Sequence, residues 1–131
     1  MAVKFIPEEL IPAIHRILIQ RYGGTFGIRD HNLLASALAQ PKMTMGGKFA
    51  HRSVFDKAAA YGYHLCANHP FVDGNKRVAF AVMYLFLERN GYTLEASEEE
   101  AYQTMMAVAA GGIKKPALAA WLRSASKRAP R

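Results

Sequence analysis

Thirteen residues, NHPFVDGNKRVAF at positions 68–80, gather the side chains of this chain best suited to chemistry. His69 is a candidate general base, because an imidazole exchanges protons near neutrality. Asp73, four residues on, is a hard oxygen ligand of the kind that holds Mg2+ while phosphate oxygens share the ion. Gly74 and Asn75 permit a tight turn with unusual backbone angles. The apolar run that follows predicts a helix beginning at Asn75 or Lys76. Free backbone N–H groups and the positive dipole end at such a start make an anion site. Lys76 and Arg77 oppose that dipole, so their placement makes sense if an anion sits between them. Base, metal ligand, anion nest and guanidinium are the components of phosphoryl or nucleotidyl transfer. The plainer alternative is structural: Asp73 a cap, His69 a helix-end residue, Lys76 and Arg77 a solvated turn. His64 and His69 do not align on one helix face, and no carboxylate completes a zinc pattern with them.

These residues need elements to hold them. Pro70 disfavours helical geometry at His69, so the preceding helix ends there. That helix starts after Ser53, whose spacing to Asp56 resembles a capping box, and runs through AAAYGYHLCANH. The next, KRVAFAVMYLFLERNGY, is apolar nearly all round and is expected at the centre of a bundle. Upstream, Leu10, Ile11, Ile14, Ile17 and Leu18 repeat with helical spacing until RYGG. A second helix carries Leu33, Leu34, Ala37 and Leu38 and is stopped by Pro41. Residues 41–52, PKMTMGGKFAHR, read as a loop or small hairpin that could act as a flap over the site. Its Lys48, His51 and Arg52 are placed to touch nucleotide or target, without being candidates for catalysis. Downstream, YTLEA reads as an extended connection, Ser97 and Glu100 form a capping box, and a last helix near Pro116 carries Leu118, Trp121 and Leu122. His15 and His31 read as surface residues; Tyr61, Tyr63 and the methionines read as packing. The expected fold class is all-α, a compact bundle of about six helices with a short flap loop. It fills residues 1–125, and a basic tail, residues 126–131, is expected to be disordered.

Bulk properties narrow the function. A chain of 131 residues with 51% hydrophobic content can build one domain with a real core. The net charge of +7 favours anionic partners. Charge alone would also suit a nucleic-acid-binding domain, but no recognition-helix pattern accompanies it, so no direct nucleic-acid partner is expected. One cysteine, Cys66, excludes an intrachain disulfide and a multi-cysteine metal site, and fits a cytoplasmic setting. The longest apolar run has ten residues, about half of a membrane span, so no membrane association is expected.

The stretch HPFVDGNKR resembles the signature of the Fic/Doc family, and of its Doc (death on curing) toxin branch in particular. The family pattern is His-x-Phe-x-(Asp/Glu/Asn)-(Gly/Ala)-Asn, followed by Gly-Arg in most Fic enzymes and by Lys-Arg in Doc proteins. PEEL, RYGG, GIRD, TMGG and ERNGY also look like Doc-type sequence in the right order. The resemblance implies an all-helical bundle that uses ATP and Mg2+. His69 would deprotonate a target hydroxyl, and Asp73 would hold Mg2+ on the nucleotide. Gly74, Asn75, Lys76 and Arg77 would form the phosphate site, with Asn75 and Arg77 in direct contact, and Phe71 would be structural. Lys76 favours the Doc chemistry, a kinase passing the γ-phosphate to a threonine or serine of a target such as translation elongation factor Tu. That modification would halt translation. The alternatives are Fic-type AMP transfer, suggested by Pro70 and Gly74, and a non-catalytic member that binds a partner or acts as corepressor. The inhibitory Ser/Thr-x-x-x-Glu-Gly/Asn pattern of many Fic proteins is missing, since Ala101 stands four residues after Ser97. Inhibition is therefore expected in trans, from an antitoxin whose C-terminal segment folds as a helix onto the bundle.

Overall fold

Among residues 2–130, which the computed structural model describes, six α-helices follow one another. They are α1 (Leu10–Tyr22), α2 (His31–Ala39), α3 (Val54–Asn68), α4 (Asn75–Arg89), α5 (Glu98–Ala109) and α6 (Lys115–Ala125). The expected all-α architecture and helix count are as observed. Both capping boxes form. Ser53 Oγ accepts the Asp56 N–H at 3.0 Å while Asp56 returns the bond to Ser53, and Ser97 and Glu100 do the same at the head of α5.

The centre of the bundle is α3, which packs on α2, α4, α5 and α6. Its composition explains this. Ala58, Ala59, Ala60 and Gly62 are all buried, so neighbouring helices approach its backbone closely. A Cβ on Gly62 would run into the Met83 side chain of α4. The expectation that α4 is central is corrected: it buries Val78, Val82, Met83, Phe86 and Leu87, but Lys76, Arg77, Tyr84 and Glu88 face water. A second correction concerns α1. Its inward stripe is Ile11, Ile14, His15 and Leu18, whereas Leu10 and Ile17 are exposed, and His15 is fully buried.

The flap is a hairpin, β1 (Thr44–Met45) against β2 (Lys48–Phe49), turned by Gly46 and Gly47 at positive φ. A buried lysine anchors its return. Lys57 donates to the carbonyls of His51 (2.7 Å) and Arg52 (2.8 Å), and its ammonium lies 4.3 Å from the Phe49 ring centre.

Lys115, at the start of α6, joins this end of the flap to α3. Its Nζ donates to His51 Nε2 at 3.2 Å and His64 Nε2 at 3.0 Å. Burial first, and then the ammonium, push His64 down to about 4 and lower His51 as well. Since these pKa values are lower folded than unfolded, the unfolded chain binds more protons between them. Stability is therefore full above pH ~6.5, the ordinary histidine value, and is lost as pH falls toward that of folded His64. Denaturant unfolding at pH 7 and pH 5 should show this loss, and His64→Gln should lose less than wild type. Equal losses would mean that His64 does not carry the effect.

The segment expected as a disordered tail is partly ordered. Ser126–Arg128 form β4, antiparallel to β3 (Tyr92–Leu94), with Tyr92 opposite Arg128 and Leu94 opposite Ser126. Bonds from Glu95 N to Ala125 O and from Ala129 N to Gly91 O extend the pairing, and Lys127 meets Glu95 at 3.2 Å. The short YTL strand needs a partner for its backbone, and the chain leaving α6 supplies it. Arg131 lies outside the described residues.

Candidate active site

Helix α3 ends in an unusual way. His69, just past its last turn, is the one non-glycine residue with positive φ among the described residues (φ 50, ψ 53). This left-handed conformation is costly for a side chain with a Cβ and must be held by its surroundings. Arg29 does much of the holding. Its Nε donates to His69 O at 2.7 Å and its terminal nitrogen to Asn68 O at 3.0 Å, supplying donors to carbonyls at the helix end. The GIRD turn also braces the loop through its backbone. Arg29 N and Asp30 N reach Pro70 O, Val72 N reaches Gly27 O, and Ile28 bridges Phe71.

The His69 ring is exposed, and its Nδ1 has two neighbours. Asn75 Nδ2 at 2.7 Å can only donate; Phe71 O at 3.4 Å can only accept. The 2.7 Å bond makes Nδ1 the acceptor and leaves the hydrogen on Nε2; base action at Nε2 needs the other tautomer, in which Nδ1–H turns from Asn75 to Phe71 O. Asn75 differs from the expectation. It is buried, its Oδ1 accepts the Phe71 N–H at 2.9 Å, and its Nδ2 also donates to Phe71 O at 3.0 Å. The side chain expected to touch phosphate is thus engaged in shaping the loop. What Asn75 offers an anion is its backbone N–H.

Gly74 (φ 76) starts α4, and no side chain caps that end. The first helical bond runs from Val78 N to Gly74 O, so the N–H groups of Asn75, Lys76 and Arg77 lack helical acceptors. Asp73 sits beside them, exposed. Its Oδ1 accepts the Gly74 N–H at 2.9 Å and its Oδ2 accepts the Thr25 N–H at 3.2 Å. A Cβ on Gly24 would stand 2.7 Å from Oδ2, so glycine there (φ 112) keeps space for the carboxylate. Each oxygen keeps acceptor capacity. Among the described residues no three His, Cys, Asp or Glu side chains gather around a metal position. A cation here would rest on one carboxylate plus oxygens from elsewhere, which suits Mg2+ shared with phosphates.

These groups open into a groove of about 690 Å3 between α1, α4 and α5. Asp73, Gly74, Asn75, Lys76 and Arg77 line one end, and the Arg77 guanidinium lies 4.4 Å from the Tyr22 ring centre. Leu18, Phe80 and Met105 contribute apolar lining, and Glu98 and Glu99 of α5 stand along it. Positions 73–77 of the sequence motif are therefore brought together on this groove, and His69 is not among its lining residues. Lys48, His51 and Arg52 of the flap do not line this groove.

Arg29, Thr25, Tyr22 and His15 were not anticipated. The stripe Ile11, His15, Leu18 carried a legible signal for the last of these, since positions three and four apart share a helix face. For the others the contact is made across the fold, and no local pattern announces it.

A helical bundle that presents a left-handed histidine at the end of one helix, and a groove at the uncapped, cation-bearing start of the next, places the chain in a known class. The Fic/DOC family model matches residues 5–87, and the chain belongs to that family. Over 117 residues, 89% of this chain and 90% of the relative, it is 35% identical to "Protein kinase doc" of Escherichia phage P1. A stretch of 75 residues is 45% identical to "Toxin Doc" of Mycolicibacterium smegmatis, covering 57% of this chain and 58% of that protein. The Doc branch read from Lys76 and Arg77 agrees with both relatives.

Proposed function

We propose that this chain is the toxin of a toxin–antitoxin pair and acts in the cytoplasm as a protein kinase. It transfers the γ-phosphate of ATP to a threonine or serine hydroxyl, with elongation factor Tu as the expected target and arrest of translation as the outcome. The observation that carries the reading is one helix junction: an exposed imidazole just past the end of α3, and at the uncapped start of α4 a groove lined by Asp73, with free acceptor capacity, and by Gly74, Asn75, Lys76 and Arg77. The relatives named as toxin and kinase support the same reading.

In this mechanism His69 Nε2 takes the proton of the target hydroxyl while that oxygen bonds to the γ-phosphorus. The bond from phosphorus to the β–γ bridging oxygen breaks, and ADP leaves. Asp73 would hold Mg2+, which would supply positive charge to neutralise the phosphates. The N–H groups at the start of α4, with Lys76 and Arg77, receive phosphate oxygens, and Tyr22 keeps the Arg77 guanidinium at the groove mouth. The apolar lining suits an antitoxin's C-terminal helix, acidic side chains facing Lys76 and Arg77. Glu98 and Glu99 require neutral or basic residues from that partner on the other side.

The test is mass spectrometry of elongation factor Tu after incubation with this protein, ATP and Mg2+. A gain of one phosphate is expected. A gain of AMP would reassign the reaction to nucleotidyl transfer, and no gain with persisting growth arrest would favour a role in binding alone.

A further inference from the structure

His15 lies outside the motif, on α1, yet it is fully buried directly beneath the catalytic loop. Its ring stacks on Phe71 with centres 3.9 Å apart and planes 12° from parallel. Its Nε2 is 2.7 Å from the backbone oxygen of Asp73. A carbonyl only accepts, so Nε2 carries the hydrogen. Nδ1 is buried and has no partner among the described residues, so within them the ring makes one polar contact and spends it on this carbonyl.

We propose that His15 is a positioning residue that aims the Asp73 carboxylate through the Asp73–Gly74 peptide plane; the inference rests on the kinase reading above. In a trans peptide the C=O and the following N–H point in opposite directions. Tying the Asp73 oxygen inward to His15 therefore turns the Gly74 N–H outward, where it meets Asp73 Oδ1 at 2.9 Å. The Thr25 N–H then takes Oδ2. A chain of hydrogen bonds runs from a buried ring to an exposed carboxylate, and each bond polarises the next. Gly74 belongs to the same device: its positive φ (76°) strains any residue with a Cβ, and a Cβ there would lie 3.2 Å from Ile19 Cδ1 and in ordinary contact, 3.6 Å, with His15 Nε2.

The chemistry explains why a histidine is used. The site needs a flat face for Phe71 and an N–H at the far edge for Asp73 O. Phenylalanine supplies the face alone. Glutamine reaches as far from the backbone with an amide N–H, but lacks the aromatic face. The two substitutions separate filling from orienting.

The first measurement uses the metal-free protein without nucleotide or target. 15N NMR should find the His15 hydrogen on Nε2, and the Gly74 amide should be protected from exchange. That protection should fall in His15→Phe and persist in His15→Gln. The second measurement is phosphate transfer against Mg2+ concentration. His15→Phe should need about tenfold to a hundredfold more Mg2+ for half-maximal rate, the usual range for losing a partner behind a ligand, while His15→Gln stays near wild type. If His15→Phe does not fold, His15→Gln decides: a Gly74 amide as exchangeable as in a denatured chain overturns the proposal. So does a hydrogen found on Nδ1, or two variants whose Gly74 protection follows only their overall stability. Should Gly74 respond as expected while no phosphate is transferred to any target, the kinase reading fails and the role of His15 in aiming Asp73 stands.

Discussion

Replacing His69 with alanine should leave a folded protein that still binds ATP and transfers phosphate about 10²–10⁴-fold more slowly, the range for losing a general base. The fold should survive because the ring is exposed and the bonds that shape the loop do not need it. Asn75 keeps Phe71 at both ends, and Arg29 keeps the carbonyls of Asn68 and His69. The left-handed backbone at position 69 costs alanine about as much as it costs histidine, roughly 1–2 kcal/mol, so strain does not separate the two proteins. Single-turnover transfer from γ-labelled ATP, alongside nucleotide affinity and a thermal melt, reads the three quantities separately. Wild-type turnover in the variant would remove His69 from the mechanism. Growth arrest by the variant without transfer would point to action by binding.

Asn75→Ala should be harmful in both respects, and this sets it apart from His69→Ala. Its side chain makes three hydrogen bonds inside the loop. Removing it leaves the N–H of fully buried Phe71 without an acceptor, at a cost of about 1–3 kcal/mol. It also frees the His69 ring to leave its orientation, so transfer should fall with the melting temperature. Asn75→Asp refines the test. Aspartate can accept from Phe71 N and from a hydrogen on His69 Nδ1 but cannot donate to Phe71 O, so the loop is restored in part and the ring keeps a partner. Urea unfolding together with transfer rates should therefore place Asn75→Asp between Asn75→Ala and wild type in stability, and above Asn75→Ala in activity. If Asn75→Ala melts like wild type and loses only affinity for ATP, the side chain is a phosphate contact after all, and the loop-shaping account is wrong.

Much of the site was legible because it is local. Pro70 ends a helix, Gly74 starts another, and the six-residue spacing from His69 to Asn75 closes the loop between them. Both capping boxes and the flap hairpin were readable for the same reason: their hydrogen bonds join residues close in the chain. The errors are of one kind. His15 looks polar, and only the packing of α1 on α4 shows that a polar ring is wanted there. The tail looks like a solvated basic end, and only the exposed edge of β3 turns it into a strand. The all-apolar appearance of α4 suggested a central position, which α3 takes because its alanines and Gly62 let other helices come closer.

By itself, the sequence determined which chemical groups exist and where helices begin and end, since propensity, capping and proline act over a few residues. It determined that an imidazole, a carboxylate and two cations fall at one helix junction. The tertiary structure alone decided what each group is free to do. Arg29, forty residues before His69, holds the helix end that carries the imidazole, while Thr25 binds the Asp73 carboxylate and His15 the Asp73 backbone carbonyl. Asn75 is withdrawn from solvent into the loop. Hydrogen bonds are directional and short, so their assignment depends on positions set by helix packing, and chain order does not contain it.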